Sequence, residues 1–343
     1  VPGGADFLLE HVMSEFSPGL VTVFGGSGFV GAQVVRALAK RGWRVRVAVR
    51  QPGLAYDLKP LGDVGQIQAV RCNITSEADV AEALRGASAA VNLVGILYET
   101  PSRKFQALHV DGTRHIAEAC AAAGIDRLVQ VSAIGANPES NSAYARSKAE
   151  AEIAARNAKP DTVVIRPSIV FGAGDDFLNR FAALAAIAPA LPLIGGGQTK
   201  FQPVYVGDVA EAIARAVVRV DAAGRTFELG GPAVMSFEAV LKLVLRETNR
   251  SRPLIPLPFF VAGIIGSLAQ LTTLVGLAPF LTADQVELLK TDTVVSPDAE
   301  GLDALDIQPT GVDAIAPAYL WRYRRGGQFA DKPAMQDTAA ATQ

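Results

Sequence analysis

The chain has 343 residues, half of them hydrophobic and 19% charged, with a formal net charge of -2 at pH 7. That length accommodates one large α/β unit or two interleaved lobes, and the near-neutral charge argues against a nucleic-acid partner. So apolar a balance implies surface covered by partners or lipid, while Cys72 and Cys120 read as buried, reduced core thiols and His11, His109 and His115 are too few and too scattered for a metal.

Residues 1–17 read as an arm of mixed character, and no cleavable signal peptide is visible. From Leu20 onward, strand patterns (20–24, 44–49, 67–71, 89–95, 127–132, 162–166) alternate with helical ones (29–41, 76–85, 104–123, 143–158). Near-continuous apolar strands between amphipathic helices predict a Rossmann-type α/β fold, a doubly wound parallel sheet covered on both faces. After Pro167 glycine and proline become frequent. A strand near 203–206, a helix at 208–219, a strand near 226–229 and a helix at 236–247 follow. The expected organisation is a dinucleotide-binding domain at 18–166, its sheet completed by 200–230, with a smaller lobe built from 167–199 and 231–325. The polar, Ala/Thr-rich tail at 326–343 is expected to be disordered.

The first strand runs into Gly25-Gly26-Ser27-Gly28-Phe29-Val30-Gly31 and then a helix pattern through Val34, Val35 and Leu38. Gly26, Gly28 and Gly31 fit G-x-G-x-x-G, whereas Gly25, Gly28 and Gly31 fit G-x-x-G-x-x-G. Such glycines allow a tight turn, close approach of backbone N–H groups to a pyrophosphate, and close helix–strand packing. The diphosphate would lie at the helix N-terminus, where unpaired N–H groups and the helix dipole favour negative charge. The second strand ends in Arg50, where an NAD-preferring site usually has an acid. A basic residue there suits the 2′-phosphate of NADPH, although it also reads as a solvated strand end. Asn73 after the third strand is positioned for the adenine edge, and Val94 and Gly95 after the fourth bring backbone close to the cofactor.

Tyr144 and Lys148 are four apart on a helix that follows the fifth strand, so they share a face. An ammonium near the phenol is expected to lower its pKa and make an acid/base pair beside a nicotinamide. The alternative is that Lys148 only holds the nicotinamide ribose, without turnover. From Pro253 to Ala283 there is no charged residue. That stretch is long enough to test as a membrane span, but its prolines, glycines and threonines also allow a buried core helix or a helix lying against lipid or a partner.

These residues together resemble the extended and atypical short-chain dehydrogenase/reductases. The matches are the 25–31 loop, Val131-Ser132, Tyr144 with Lys148, Arg166-Pro167 with Phe171-Gly172, and Val204 to Ala210. The resemblance adds Ser132, Pro167 and Ile169 to the candidate cofactor contacts. The chain departs from catalytic members in having Phe24 before the loop, His109 where an Asn helps build the proton relay, and Ala133-Ile134-Gly135-Ala136 where a second hydroxyl is usual. Within the family it is most similar to the branch of NADPH-binding accessory subunits of respiratory complex I, through 129–136, 166–172 and Leu281 to Lys290. That branch implies a structural NADPH, vestigial roles for Tyr144, Lys148 and Ser132, no metal, and the other subunits of complex I as partners. It also implies a peripheral place on the inner membrane, on the cytoplasmic face in a bacterium or the matrix face in a mitochondrion, with 253–283 meeting lipid or a neighbouring subunit. The absence of a visible transit peptide points to the bacterial version. The competing reading is a free NADPH-dependent reductase, epimerase or dehydratase.

Overall fold

The computed structural model describes residues 18–275 and 277–329. The expected arm at 1–17 and the tail from Ala330 lie outside the described residues, whereas Gly327–Phe329 of the expected tail form a short 3-10 turn. Seven strands make the main sheet: β1 (Leu20–Phe24), β2 (Arg44–Val49), β3 (Ile67–Arg71), β4 (Ala89–Asn92), β5 (Arg127–Val131), β6 (Val163–Pro167) and β11 (Thr226–Leu229). Their order is β3-β2-β1-β4-β5-β6-β11 and every pairing is parallel, as the doubly wound reading requires.

Alternation along the strands divides the core into two layers. Val23, Val47 and Val91 face helices α1 (Phe29–Lys40) and α6 (Val206–Val218). Phe24, Ala48 and Ala90 face α2 (Glu77–Leu84), α3 (Gly112–Ala122) and α4 (Ala143–Ala158). Both Cys72 and Cys120 are buried free thiols in this second layer. The chain leaves β1 toward β2 on one side, and β4 lies on the other. A crevice therefore opens beyond the carboxyl ends of β1 and β4, the place where such sheets take ligands.

Local departures from the sequence pattern have physical causes. β4 stops at Asn92 rather than 95, because the buried Asn92 Oδ1 accepts the Val94 N–H at 3.1 Å and turns the chain out of the ladder. The single helix expected at 104–123 begins with a π-helical stretch, Gln106–Asp111, before α3. Beyond β6, the elements β7 (Val170–Phe171), α5 (Leu178–Ile187), β8 (Leu191–Ile194), β9 (Lys200–Phe201), β10 (Val204–Tyr205), β12 (Met235–Ser236), α7 (Phe237–Glu247) and β13 (Leu254–Leu257) build a second apolar cluster. Its centre holds Phe171, Leu178, Phe181, Phe201, Phe237 and Leu241. α5, β8 and β13 have no counterpart in the sequence reading, since a nearly all-apolar Ala-rich stretch shows no amphipathic period.

The uncharged 253–283 stretch does not form one long helix, and the helix it does form is mostly exposed rather than core. Within it, α8 (Phe259–Gln270) has 12 residues, about 18 Å at 1.5 Å per residue, and among the described residues no helix is long and apolar enough to cross a membrane. Only Ala262 and Gly266 of α8 are buried, whereas Phe260, Ile264 and Leu268 are 72%, 59% and 63% exposed and form one stripe at helical spacing. A short helix, α9 (Ala283–Leu288), follows; Thr282 caps it in a reciprocal box with Gln285.

Candidate nucleotide site

The loop between β1 and α1 assigns separate tasks to its glycines. Gly25 has φ +77°, a conformation that L side chains rarely adopt, and its carbonyl accepts the Gly28 N–H at 3.1 Å. A Cβ on Gly31 would lie 2.5 Å from the Gly25 carbonyl oxygen and 2.7 Å from Gly26 backbone, so Gly31 sets the approach of helix to strand. A Cβ on Gly26 would press on Val47, Val23 and Val35, which makes Gly26 a packing glycine. Gly28 differs: its backbone is extended, and a Cβ there would meet only the Gly25 oxygen at 3.4 Å. The 25/28/31 spacing is therefore the one that carries the turn, the open approach and the close contact. No side chain caps α1 and its first turn holds no acid, so its N-terminal N–H groups stay available to an anion. Ser27 is exposed on the loop, with Phe29 and Val30 half-buried behind it.

The groove continues across the sheet edge. Leu93 and Val94 backbone lies where a Gly25 Cβ would be 3.2 Å away, so the two strand ends almost touch. Asn92 stabilises this rim from below, donating to Gln130 Oε1 at 2.8 Å and Thr113 Oγ1 at 3.0 Å. Gly95 is exposed, with Lys148 Nζ and His109 Nε2 3.5 and 3.7 Å from an added Cβ. Arg50 is exposed at the end of β2. Asn73 is exposed beyond β3, but its Oδ1 accepts the Thr75 N–H at 3.2 Å in a local turn, which leaves its amide nitrogen as the group facing outward chemistry.

On the far side of the groove, α4 carries Tyr144 and Lys148. Lys148 is buried and donates to the Val131 carbonyl at 3.2 Å, and burial lowers its pKa to about 8. The Tyr144 phenol contradicts the expected depression: burial, with the Asp284 carboxylate next, pushes it up to about 12. The lysine ammonium lies 6.0 Å from the Tyr144 ring centre, too far to offset these effects. His109 is buried, and burial followed by the Lys148 charge lowers it to about 3. Its Nε2 accepts the Ile96 N–H at 2.9 Å, which puts the proton on Nδ1, directed at Ser147 Oγ 2.8 Å away. Ser147 in turn donates to the Tyr144 carbonyl at 2.8 Å. His109 thus ties the loop after β4 to α4 and has no free nitrogen for a proton relay. Phe105 packs edge-on against Tyr144 and tilted against His109, closing an aromatic cluster.

Ser132 follows β5, and its buried Oγ has no hydrogen-bond partner within the protein. An orphaned buried hydroxyl is costly unless a ligand satisfies it. The Ser132 N–H donates to the Ile165 carbonyl at 2.7 Å, and the Pro167 carbonyl accepts the nearby Ile134 N–H at 3.0 Å, whereas the Ile169 carbonyl accepts the Val204 N–H at 2.9 Å. The open Gly28 face, the uncapped α1 and the unpartnered Ser132 fit a dinucleotide laid from α1 to α4. The glycine loop would hold the diphosphate, Lys148 and Ser132 the nicotinamide ribose and ring. Such a cofactor supplies hydride chemistry when bound. Among the described residues no cluster of His, Cys, Asp or Glu could hold a metal.

One residue at this site escaped the sequence reading. Asp284 of α9 accepts hydrogen bonds from Ser142 Oγ (2.9 Å), Ala143 N (2.6 Å) and Tyr144 N (3.2 Å), the N-terminal groups of α4. The Thr-x-x-Gln signature around it marks a helix start; nothing local shows that its carboxylate reaches a helix 140 residues earlier.

The model of the NAD dependent epimerase/dehydratase family matches residues 21–230. The chain is 36% identical over 328 residues to NADH dehydrogenase (ubiquinone) 1 alpha subcomplex subunit 9, mitochondrial, of Arabidopsis thaliana, a match covering 92% of this chain and 80% of the relative. It is 35% identical to the protein of that name from Mus musculus, over 91% and 82% of the two chains. Among solved structures, MoeE5 in complex with UDP-glucuronic acid and NAD superposes with a TM-score of 0.64 at 20% identity, over 88% of this chain and 97% of that one, a likeness of fold. The chain belongs to the NAD dependent epimerase/dehydratase family, the extended short-chain dehydrogenase/reductases, and within it to the homologues of this complex I subunit.

Proposed function

We propose that the chain is an accessory subunit of respiratory complex I that holds NADPH as a structural, non-turning-over cofactor and supports assembly of the complex. The observation that carries this reading is the pairing, in one molecule, of a Rossmann glycine loop, with its open Gly28 and uncapped α1, and an uncharged helix whose apolar stripe is left bare. An exposed stripe of Phe260, Ile264 and Leu268 is a liability in a free enzyme and an asset in a subunit that packs against lipid or a neighbour. The state of Tyr144 points the same way. With the phenol raised to about 12 and both His109 nitrogens engaged, by the Ile96 N–H and the Ser147 hydroxyl, proton transfer at neutral pH lacks its base. Arg50 supports NADPH over NADH, because an exposed guanidinium at the end of β2 suits a 2′-phosphate. This reading places the protein peripherally on the inner membrane, beside the other subunits, with α8 toward membrane or partner.

A free reductase, epimerase or dehydratase is the second reading, and the shared helical face of Tyr144 and Lys148 favours it. Purification from native membranes separates the two. A subunit copurifies with NADH:ubiquinone oxidoreductase activity and yields, on denaturation, about one NADPH per chain by mass spectrometry. A soluble protein carrying exchangeable nucleotide and reducing substrate sinks the subunit reading. Arg50→Asp should weaken NADPH tenfold or more, the loss of a charge-assisted contact of about 1.5–3 kcal/mol, while leaving NADH little changed. Equal effects on both nucleotides would remove Arg50 from the 2′-phosphate.

A further inference from the structure

The segment from α8 through α9 is joined to the nucleotide groove at one point. Among the described residues, every hydrogen bond between α4 and the α8–α9 segment ends on the Asp284 carboxylate. These bonds satisfy the Ala143 and Tyr144 N–H groups, which no intrahelical carbonyl can reach, and place a negative charge at the positive end of α4. Ser142 caps the next N–H, that of Ala145. The first turn of the helix that presents Tyr144, Ser147 and Lys148 is thus completed by a side chain from a different part of the fold.

The same short helix is locked to the apolar one. A Cβ on Gly266 of α8 would lie 2.7 Å from Ala283 N and from Thr282 C, so the backbones of α8 and the α9 N-terminus are in direct contact. A shift of α8 therefore carries Thr282, Ala283 and Asp284 with it. The Asp284 bonds sit on the wall of a cavity of about 290 Å³ between α4 and α8–α9, whose lining also includes Tyr98, Phe105, Arg146, Gln270 and Thr282. Beside that space, the Asp284 bonds are the polar link between the two segments.

We infer that Asp284 is a positioning residue that couples the exposed apolar helix to the nucleotide groove, so that seating α8–α9 strengthens NADPH binding and bound NADPH fixes α8 in the orientation its partner meets. This rests on the proposed NADPH-holding role. Coupling between two sites is reciprocal in free energy, so each half of the statement predicts the other. A nucleotide bound to Lys148 and Ser132 holds α4 in place; an ordered α4 N-terminus offers Asp284 its two N–H donors; and the docked α9 holds α8 through Gly266. A purely local cap would show no such reciprocity.

The test is hydrogen exchange and NADPH titration on the full chain, as wild type, Asp284→Ala and Asp284→Asn. In the wild type, NADPH should slow exchange both in the loop at 25–31 and in α8 at 259–270. Asp284→Ala should raise the NADPH Kd on the order of tenfold, within the usual range for coupled sites. It should also confine nucleotide-induced protection to 25–31. Asp284→Asn, whose amide oxygen still accepts one N–H, should fall between and guards against loss of fold in the alanine variant. Protection of 25–31 without 259–270 in the wild type, or a Kd unchanged within twofold in Asp284→Ala, overturns the coupling and leaves the cofactor reading standing. Absence of NADPH binding and of protection at 25–31 in the wild type overturns both.

Discussion

Gly28 and Gly31 stand three residues apart in one motif, yet the structure gives them opposite liabilities. Consider Gly28→Val and Gly31→Ala in the isolated protein. At Gly31 the new methyl lands 2.5 Å from a carbonyl oxygen and 2.7 Å from two backbone atoms, none of which can swing aside. Helix α1 must back away from β1, whose Val23 and Phe24 are fully buried, so Gly31→Ala should cost about 1–3 kcal/mol of stability or more. At Gly28 the backbone is at φ −76° and ψ 175°, open to any residue, and a Cβ has only one neighbour, at 3.4 Å. Gly28→Val should therefore lower stability by no more than about 1 kcal/mol, the scale of losing a favoured cap residue. Its effect falls on the nucleotide instead. The branched side chain occupies the approach to the α1 N-terminus, and losing one charge-assisted N–H contact to phosphate costs about 1.5–3 kcal/mol, roughly 10- to 150-fold in Kd. Thermal melts without nucleotide, followed by NADPH titration, separate the two terms. If Gly28→Val binds NADPH as the wild type does, the diphosphate is not at this helix; if it melts as low as Gly31→Ala, the geometric division between the two glycines is wrong.

Three further outcomes are expected. Lys148 titrates near 8 in the free protein, and a nucleotide hydroxyl accepting from it favours the ammonium, so binding takes up a proton above that pH. NADPH affinity should then fall by up to tenfold per pH unit above about 8, and Lys148→Met should flatten the profile; a flat wild-type profile from pH 7 to 9.5 would exclude the contact. His109 lies at about 3 in the fold against 6.5 when free, so between those values the unfolded chain binds the extra proton and stability rises with pH. Urea titrations should show stability falling by up to about 1.4 kcal/mol per unit as pH drops below 6.5, with a shallower slope in His109→Gln; identical slopes would mean the imidazole is solvated. Leu268→Lys and Ile264→Lys replace side chains that already face outward and should shift stability by less than about 1 kcal/mol while releasing the protein from membranes. Unfolding by both would return α8 to the core.

The sheet, its helices and the glycine loop were legible because each rests on a short-range rule: strands buried on both faces read as apolar runs, and a turn that admits a pyrophosphate leaves glycines at fixed spacing. The same reasoning placed Tyr144 beside Lys148, since a helix repeats within four residues. What it did not contain was their electrostatic state. An ammonium near a phenol lowers its pKa in water; in this fold burial and an acid from 140 residues away raise it, and a pKa is set by everything packed around a group. Composition likewise showed an uncharged stretch at 253–283 without showing whether it spans, hides or faces outward. Only tertiary packing decided that Ala262 and Gly266 turn inward and Phe260, Ile264 and Leu268 turn out, because a helix that is apolar all round carries no record of which side its neighbours will cover.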